Sequence, residues 1–314
     1  MTRMITVGAA QLGPIARTET RRDAVERMIA LLDEAKKRGC GLVVFPEAAL
    51  TAFFPHWYME DPAEIDSYFE REMPGPETQA LFERARVHGI GFSLGYCELA
   101  FEGGRKRRFN TQILVDREGR IVGKYRKIHL PGHADHRPRQ PYQNLEKHYF
   151  EVGDLGFPVW RAIGGIMGMM ICNDRRWPES YRVLGLQGVE MILLGYNTPE
   201  ESPQGHMEPP HMAMFHHLLS LQAGAYQNAT WVVASAKAGT EEGIYQIGGT
   251  AIVAPTGEIA ARALGDGDEL VTAACDLDMG NWLKSTTFDF ARHRRPEHYK
   301  LIVERTGAVL PPKG

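Results

Sequence analysis

The run Gly164-Gly-Ile-Met-Gly-Met-Met-Ile-Cys-Asn-Asp-Arg-Arg-Trp-Pro-Glu-Ser180 sets the tightest limit on how this chain folds. Ile166, Met167, Met169, Met170 and Ile171 form an apolar run with no polar face, the pattern of a strand covered on both sides. The character then changes within one residue. Asn173, Asp174, Arg175 and Arg176 are polar or charged, and Trp177-Pro-Glu179 reads as a helix start with Pro at an early position. Cys172 is thereby placed at the carboxyl end of a buried strand, beside two guanidiniums and a helix N-terminus, where a thiolate is stabilised. The other reading is a core cysteine beside a structural salt bridge, since free Cys is among the most buried residue types.

The flanking chain supports an α/β architecture. Ile5 to Leu12 reads as a strand. Thr18 to Arg38 carries an apolar stripe at Val25, Met28, Ile29, Leu31, Leu32 and Ala35, ending at Gly39, and Gly41 to Phe45 is a short apolar strand stopped by Pro46. This β-α-β opening argues for strands with a helix packed over them. A helix over 77–88, a strand over 90–99 and a hairpin of 109–115 with 121–127 follow. The long irregular stretch 128–154 has the length of a functional loop. Beyond Cys172 we expect a helix to about Gln187, a strand 189–194, a loop 199–210, a helix 211–227, a strand 231–236, a hairpin within 249–263 and a last strand 269–277. Thr111-Gln-Ile113…Gly119-Arg-Ile121 faintly echoes Thr250-Ala-Ile252…Gly257-Glu-Ile259, compatible with two similar halves packed sheet against sheet. No linker or composition break divides the chain, which reads as one domain.

A net charge of -3 gives no reason to expect a nucleic-acid or anionic-membrane partner. The one basic run, Arg105-Lys-Arg-Arg108, is expected to cap a solvated loop before a strand. The four cysteines, Cys40, Cys97, Cys172 and Cys275, show no CxxC pairing, which favours free thiols in a reducing compartment. With no secretory-type N-terminus and no apolar segment long enough to cross a bilayer, the expectation is a cytoplasmic protein.

Three chemically competent residues sit at comparable places: Glu47 past a strand end, Lys127 at the end of a hairpin strand, and Cys172. In open α/β sheets, catalytic groups gather outside the carboxyl ends of strands. A thiol, a carboxylate and an ammonium together suit attack on an amide-like carbon, with the carboxylate moving protons and the ammonium stabilising the oxyanion. Singly, each has a plain structural alternative. Histidines offer a rival, since His129, His133 and His136 cluster, as do His206, His211, His216 and His217, and imidazole ligates metals. No HExxH or zinc-type Cys/His spacing is present, so a metal-dependent amidohydrolase is the lesser expectation. No cofactor or metal is expected.

Phe45-Pro-Glu47, Tyr125-Arg-Lys127-Ile-His-Leu and Cys172-Asn-Asp, in this order, resemble the nitrilase (carbon–nitrogen hydrolase) superfamily over almost the whole chain. Within it, Met73-Pro-Gly-Pro76, Lys127-Ile-His-Leu-Pro-Gly-His133, Cys172-Asn-Asp-Arg-Arg-Trp-Pro178, Gly195-Tyr-Asn-Thr-Pro199 and Phe215-His-His-Leu218 resemble most the N-carbamoyl-D-amino-acid amidohydrolase family. The resemblance implies a four-layer α-β-β-α sandwich. It also implies Cys172 as nucleophile, Glu47 as general base and acid, Lys127 as oxyanion stabiliser and Glu146 as a second active-site glutamate. The implied substrate is an N-carbamoyl-D-amino acid, and stereochemistry follows from the resemblance alone. Alternatives are N-carbamoyl-β-amino acids or simple amides and, in another class, a non-catalytic binding subunit. A planar substrate carboxylate suits a bidentate guanidinium, so at least one of Arg175 and Arg176 is expected to grip it while the other is structural. Asn173, Asn197 and Thr198 are further polar partners, Asn197 with a turn role as the alternative. His129 joins them because it lies two residues past Lys127. Phe53, Phe54, Trp57 and Tyr58 line a side-chain pocket or pack in a core or subunit interface. The resemblance further implies a homodimer or homotetramer, with residues 1–278 as the hydrolase domain and 279–314 as an oligomerisation arm.

Overall fold

The computed structural model of the chain describes residues 2–140, 143–201 and 209–312. The first half runs β1 (Met4–Gln11), α1 (Arg21–Lys37), β2 (Leu42–Val44), α2 (Pro62–Asp66), α3 (Gln79–His88), β3 (Gly91–Glu102), β4 (Arg105–Val115), β5 (Ile121–Arg126) and α4 (Glu146–Tyr149). The second runs β6 (Val159–Ala162), β7 (Gly165–Ile171), α5 (Pro178–Leu186), β8 (Met191–Tyr196), α6 (Pro210–Asn228), β9 (Trp231–Ala236), β10 (Ala238–Glu241), β11 (Ile244–Ile247), β12 (Ala251–Val253), β13 (Ile259–Arg262) and β14 (Glu269–Asp276). The tail holds the short helices α7 (Asn281–Lys284), α8 (Phe290–His293) and α9 (Lys300–Glu304).

Alternation along the strands decides the layering. In β2, Leu42 and Val44 point into one apolar cluster, while Val43 and the following Phe45 point into another. The first cluster lies between two six-stranded sheets, ordered β14-β1-β2-β3-β4-β5 and β13-β12-β9-β8-β7-β6. There Val7, Leu42, Leu114 and Tyr125 meet Met167, Met169, Leu193 and Val233. The second cluster packs the outer face of the first sheet under α1 and α3 through Val25, Met28, Leu81 and Phe82. Tyr181, Leu184, Leu221 and Ala225 of α5 and α6 cover the other sheet. The result is the four-layer α-β-β-α sandwich. α1 begins at Arg21, three residues past the expected Thr18, because Thr20 and Asp23 form a reciprocal capping box.

Each sheet repeats one plan. Three parallel strands (β1, β2, β3 or β7, β8, β9) are flanked by one antiparallel strand (β14 or β6) and an antiparallel pair (β4–β5 or β12–β13). The sequence echo falls on this plan, because Thr111–Ile113 lies in β4 and Thr250–Ile252 enters β12.

Two features differ from the sequence reading. The β10–β11 hairpin and strand β6 were not expected, as each strand has only four residues. The basic run Arg105–Arg108 is no loop cap but the start of β4, where its charges are met across the fold. Arg105 and Arg107 pair with Glu151, Arg107 also with Asp154, and Lys106 and Arg108 with Asp66. Phe53 and Phe54 are core residues, with Trp57 and Tyr58 only partly buried beside them. Among the described residues no helix is long and apolar enough to cross a membrane.

Candidate active site

The carboxyl ends of β2, β5, β7 and β8 deliver Glu47, Lys127, Cys172 and Asn197 to one point. Glu47 Oε1 accepts hydrogen bonds from Lys127 Nζ at 2.7 Å and Asn110 Nδ2 at 2.7 Å, while Oε2 accepts from Asn197 N–H at 2.9 Å. Lys127 Nζ also donates to Glu146 Oε2 at 2.5 Å. Cys172 Sγ donates to the Asn197 carbonyl at 3.2 Å, and Asn197 Nδ2 donates to the Glu47 carbonyl at 2.9 Å. Glu47, Lys127, Glu146 and Cys172 are all buried. Asn197 is therefore no mere turn residue, since its backbone and side chain tie the carboxylate to the thiol.

Two close approaches make this possible. A Cβ on Gly95 of β3 would lie 2.5 Å from the Pro46 carbonyl oxygen, and one on Gly195 of β8 would lie 2.6 Å from the Glu47 nitrogen. Glycine at both places lets the Pro46–Glu47 backbone pass between the sheets. Ala48 and Cys172 have φ of 45° and 46°, left-handed values that cost a residue with a Cβ about 1–2 kcal/mol each. The strained turn at the thiol is held from both sides. Arg175 Nη1 donates to the Cys172 carbonyl at 2.7 Å, and Asp174 Oδ2 accepts from Ile171 N–H at 3.0 Å.

The electrostatics overturn one expectation. Burial pushes the pKa of the Cys172 thiol up and Glu47 adds to this, against the opposing pull of Lys127 and Arg175. Burial by itself would lower Lys127, but the negative charge available at Cys172, Glu146 and Glu47 outweighs it and the lysine is raised. Glu146 is also pushed up, to about 7, by burial and by Glu47, with Lys127 opposing. The upward shifts of lysine and glutamate look contradictory for an ion pair, but one ammonium faces two carboxylates. The negative charge around that one ammonium, together with burial, pushes the Glu146 carboxyl up.

The two arginines separate. Arg175 is buried, with Nη2 on Thr198 Oγ1 at 2.8 Å, Nη1 at 3.8 Å from Cys172 Sγ, and its guanidinium 4.7 Å from the Tyr196 ring centroid. Arg176 is exposed and lies 3.4 Å from Asn173 Oδ1. Asn173 Nδ2 donates to the His129 carbonyl at 3.1 Å. His129 Nδ1 lies 2.8 Å from Asp174 Oδ1, and its ring stacks on Trp177 with centroids 5.1 Å apart. Asp174 also accepts from Tyr125 Oη at 2.7 Å. Asp174, Tyr125 and Asn110 were missed as site residues in the sequence reading. Asp174 stands inside the Cys-Asn-Asp motif and could have been found there, whereas Asn110 sits in the middle of β4, between Phe109 and Thr111, with no local signal.

The histidines disperse. His133 contacts the Asp135 carbonyl, His136 stacks on Tyr58 at 3.8 Å and His217 lies 2.9 Å from Tyr196 Oη. His206 lies outside the described residues. Among the described residues no three His, Cys, Asp or Glu side chains group so as to hold a metal ion.

A two-sheet sandwich with a buried thiol, two carboxylates and an ammonium at one end has the makings of a thiol-dependent hydrolase. The carbon–nitrogen hydrolase family pattern matches residues 6–283, so this chain belongs to that family of enzymes, which act on amides. It is 29% identical to an N-carbamoylputrescine amidase of Arabidopsis thaliana, with 97% of each chain covered. It is 32% identical to a citrullinase of Francisella tularensis over 65% of this chain and 68% of that one. A carbon-nitrogen hydrolase from Helicobacter pylori superposes with a TM-score of 0.79 at 25% identity, covering 96% of this chain and 99% of that one.

Proposed function

We propose that this enzyme hydrolyses N-carbamoyl-D-amino acids to the D-amino acid, carbon dioxide and ammonia. The observation that carries the reading is Arg176, an exposed guanidinium four residues past the nucleophile and 3.4 Å from Asn173 Oδ1. Arg176 can grip a substrate carboxylate bidentately, beside Asn173, whose Nδ2 donates to the His129 carbonyl. The D preference is taken from the family resemblance of the Cys172–Pro178 and Lys127–His133 stretches.

In the proposed mechanism, Cys172 Sγ attacks the ureido carbonyl carbon while Glu47 takes the thiol proton. Because burial pushes the thiol up, this transfer is part of the reaction rather than a precondition. Lys127 stabilises the oxyanion of the tetrahedral intermediate. The bond to the terminal nitrogen breaks, Glu47 returns the proton, ammonia departs, and a thioester-like S-acyl adduct remains. Water attacks that adduct with Glu47 as base, releasing the N-carboxy amino acid, which loses carbon dioxide. Glu146 holds Lys127 in place.

A second reading comes from the relatives' names, which include an amidase for N-carbamoylputrescine and a citrullinase. All three substrates present a ureido group and differ in what it is attached to. Arg176 disfavours a cationic substituent, which argues for the carboxylate. The deciding experiment is ammonia release from N-carbamoyl-D-phenylalanine, its L enantiomer, N-carbamoylputrescine and citrulline, with and without a chelator. Release from the D compound alone, indifferent to chelator, is expected; preference for N-carbamoylputrescine would replace the proposal. We also propose that residues 279–314 form an oligomerisation arm, so truncation after Asp278 should reduce the assembly mass in light scattering.

A further inference from the structure

One buried amide at the site is used by no step above. Asn110 of β4 is 1% exposed. Its Nδ2 shares Glu47 Oε1 with Lys127 Nζ, each at 2.7 Å, and its carbonyl accepts the Lys127 N–H at 2.8 Å. A single strand residue therefore holds both the carboxylate and the lysine. Asn110 Oδ1 has no partner among the described residues, so Glu47 alone fixes the orientation of the amide. Oε1 is taken by two donors and Oε2 by one, the Asn197 N–H, which leaves Oε2 with the spare lone pair.

We propose that Asn110 is a positioning residue, pinning Glu47 Oε1 against Lys127 so that Oε2 is the oxygen that exchanges protons with Cys172 and the leaving nitrogen. The inference rests on the thiol–carboxylate half of the proposed mechanism and not on the identity of the substrate. The charged and titratable groups around Glu47 are Lys127 after β5, Glu146 on α4, Cys172 after β7, Cys97 of β3 and His56. The Lys237–Glu241 pair lies behind Asn197. All remain in place in the variants below.

The test is the pH dependence of Cys172 alkylation by iodoacetamide in the full chain, read by mass spectrometry of the Cys172 peptide. Asn110→Ala should slow alkylation at neutral pH by about tenfold or more, as a mis-set general base does. In a Glu47→Gln background the same substitution should change nothing further. Asn110→Asp, nearly isosteric, places a second carboxyl against Glu47 and should move the acid limb upward by about one pH unit or more, with the rate recovering at higher pH. Alkylation profiles that superimpose on the wild type for both variants would overturn the proposal. So would an undiminished Asn110→Ala effect in the Glu47→Gln background. Since no carbamoyl substrate is used, a failed substrate assignment leaves this result standing.

Discussion

Two lysines, Lys127 and Lys237, are fully buried in this molecule, each on a glutamate, and they differ in how completely their charge is answered. Lys237 Nζ donates to both oxygens of Glu241, at 3.0 and 2.8 Å, and to the Thr51 carbonyl at 2.9 Å. The remaining capacity of Glu241 is filled by the N–H groups of Ile15 and Phe53. That cluster is one cation against one anion, closed on every side. Lys127 faces two carboxylates with one positive charge and stands near a thiol that burial pushes up. A closed buried pair braces a fold, while an unbalanced one leaves a proton free to move. The two are joined, because the Lys237 N–H reaches Asn197 Oδ1 at 3.4 Å and Glu241 holds the loop that follows Glu47.

The largest expected effect is at the thiol. Cys172→Ala should lower turnover by at least about 10⁴-fold, as loss of a covalent nucleophile does, while thermal unfolding stays cooperative. Substantial residual turnover would erase the distinction between the clusters. Lys127→Met should lower kcat by roughly 10²–10³-fold through loss of the oxyanion stabiliser, measured under saturating substrate. Lys237→Met should do the reverse. It leaves Glu241 as a buried charge without its cation, costing about 3–5 kcal/mol of stability in urea unfolding, with kcat of the folded fraction little changed. If the two lysine variants behaved alike, the comparison would fail.

The parts of this contrast that were legible in the sequence share a local signature. Glu47, Lys127 and Cys172 each follow a short strand, and a charged or nucleophilic residue at such an end is conspicuous. Lys237 follows a strand and Glu241 ends one, but their partners, Thr51, Ile15 and Phe53, are distant in the chain and contribute only backbone groups. Asn110 was hidden because its meaning arises between strands of one sheet, from a carboxylate beyond β2 that is distant in the chain. Adjacent arginines cannot be told apart by composition. Only the helical turn over Cys172–Arg176 sends one inward and the other to solvent. The four layers were legible because apolar strands alternate with one amphipathic helical stripe after another, whereas β6, β10 and β11 are too short to carry a period.

Smaller effects sharpen the account. Gly195→Ala puts a methyl group against the Glu47 backbone and should cost about 1–3 kcal/mol of stability. Displacing Glu47 by even an ångström should also lower turnover by about 10²-fold. Glu146→Gln mimics the protonated carboxyl and should have the mildest consequence. The folded-state pKa of Glu146 is raised from 4.5 to about 7, so its stabilising contribution is complete below 4.5 and is lost as pH rises through 7. The variant should therefore show a flatter stability difference than the wild type between about pH 5 and about pH 8 in urea titrations. A steeper difference would reverse the assignment of the spare proton.

The most direct test of the central claim, that the unbalanced cluster makes Cys172 a covalent catalyst, is the intact mass of enzyme quenched in acid during turnover of N-carbamoyl-D-phenylalanine. The wild type should carry an adduct on the Cys172 peptide equal to the substrate less ammonia, formed more slowly in Glu47→Gln and absent from Cys172→Ala. Turnover without any adduct on Cys172, or an adduct on another residue, would contradict it.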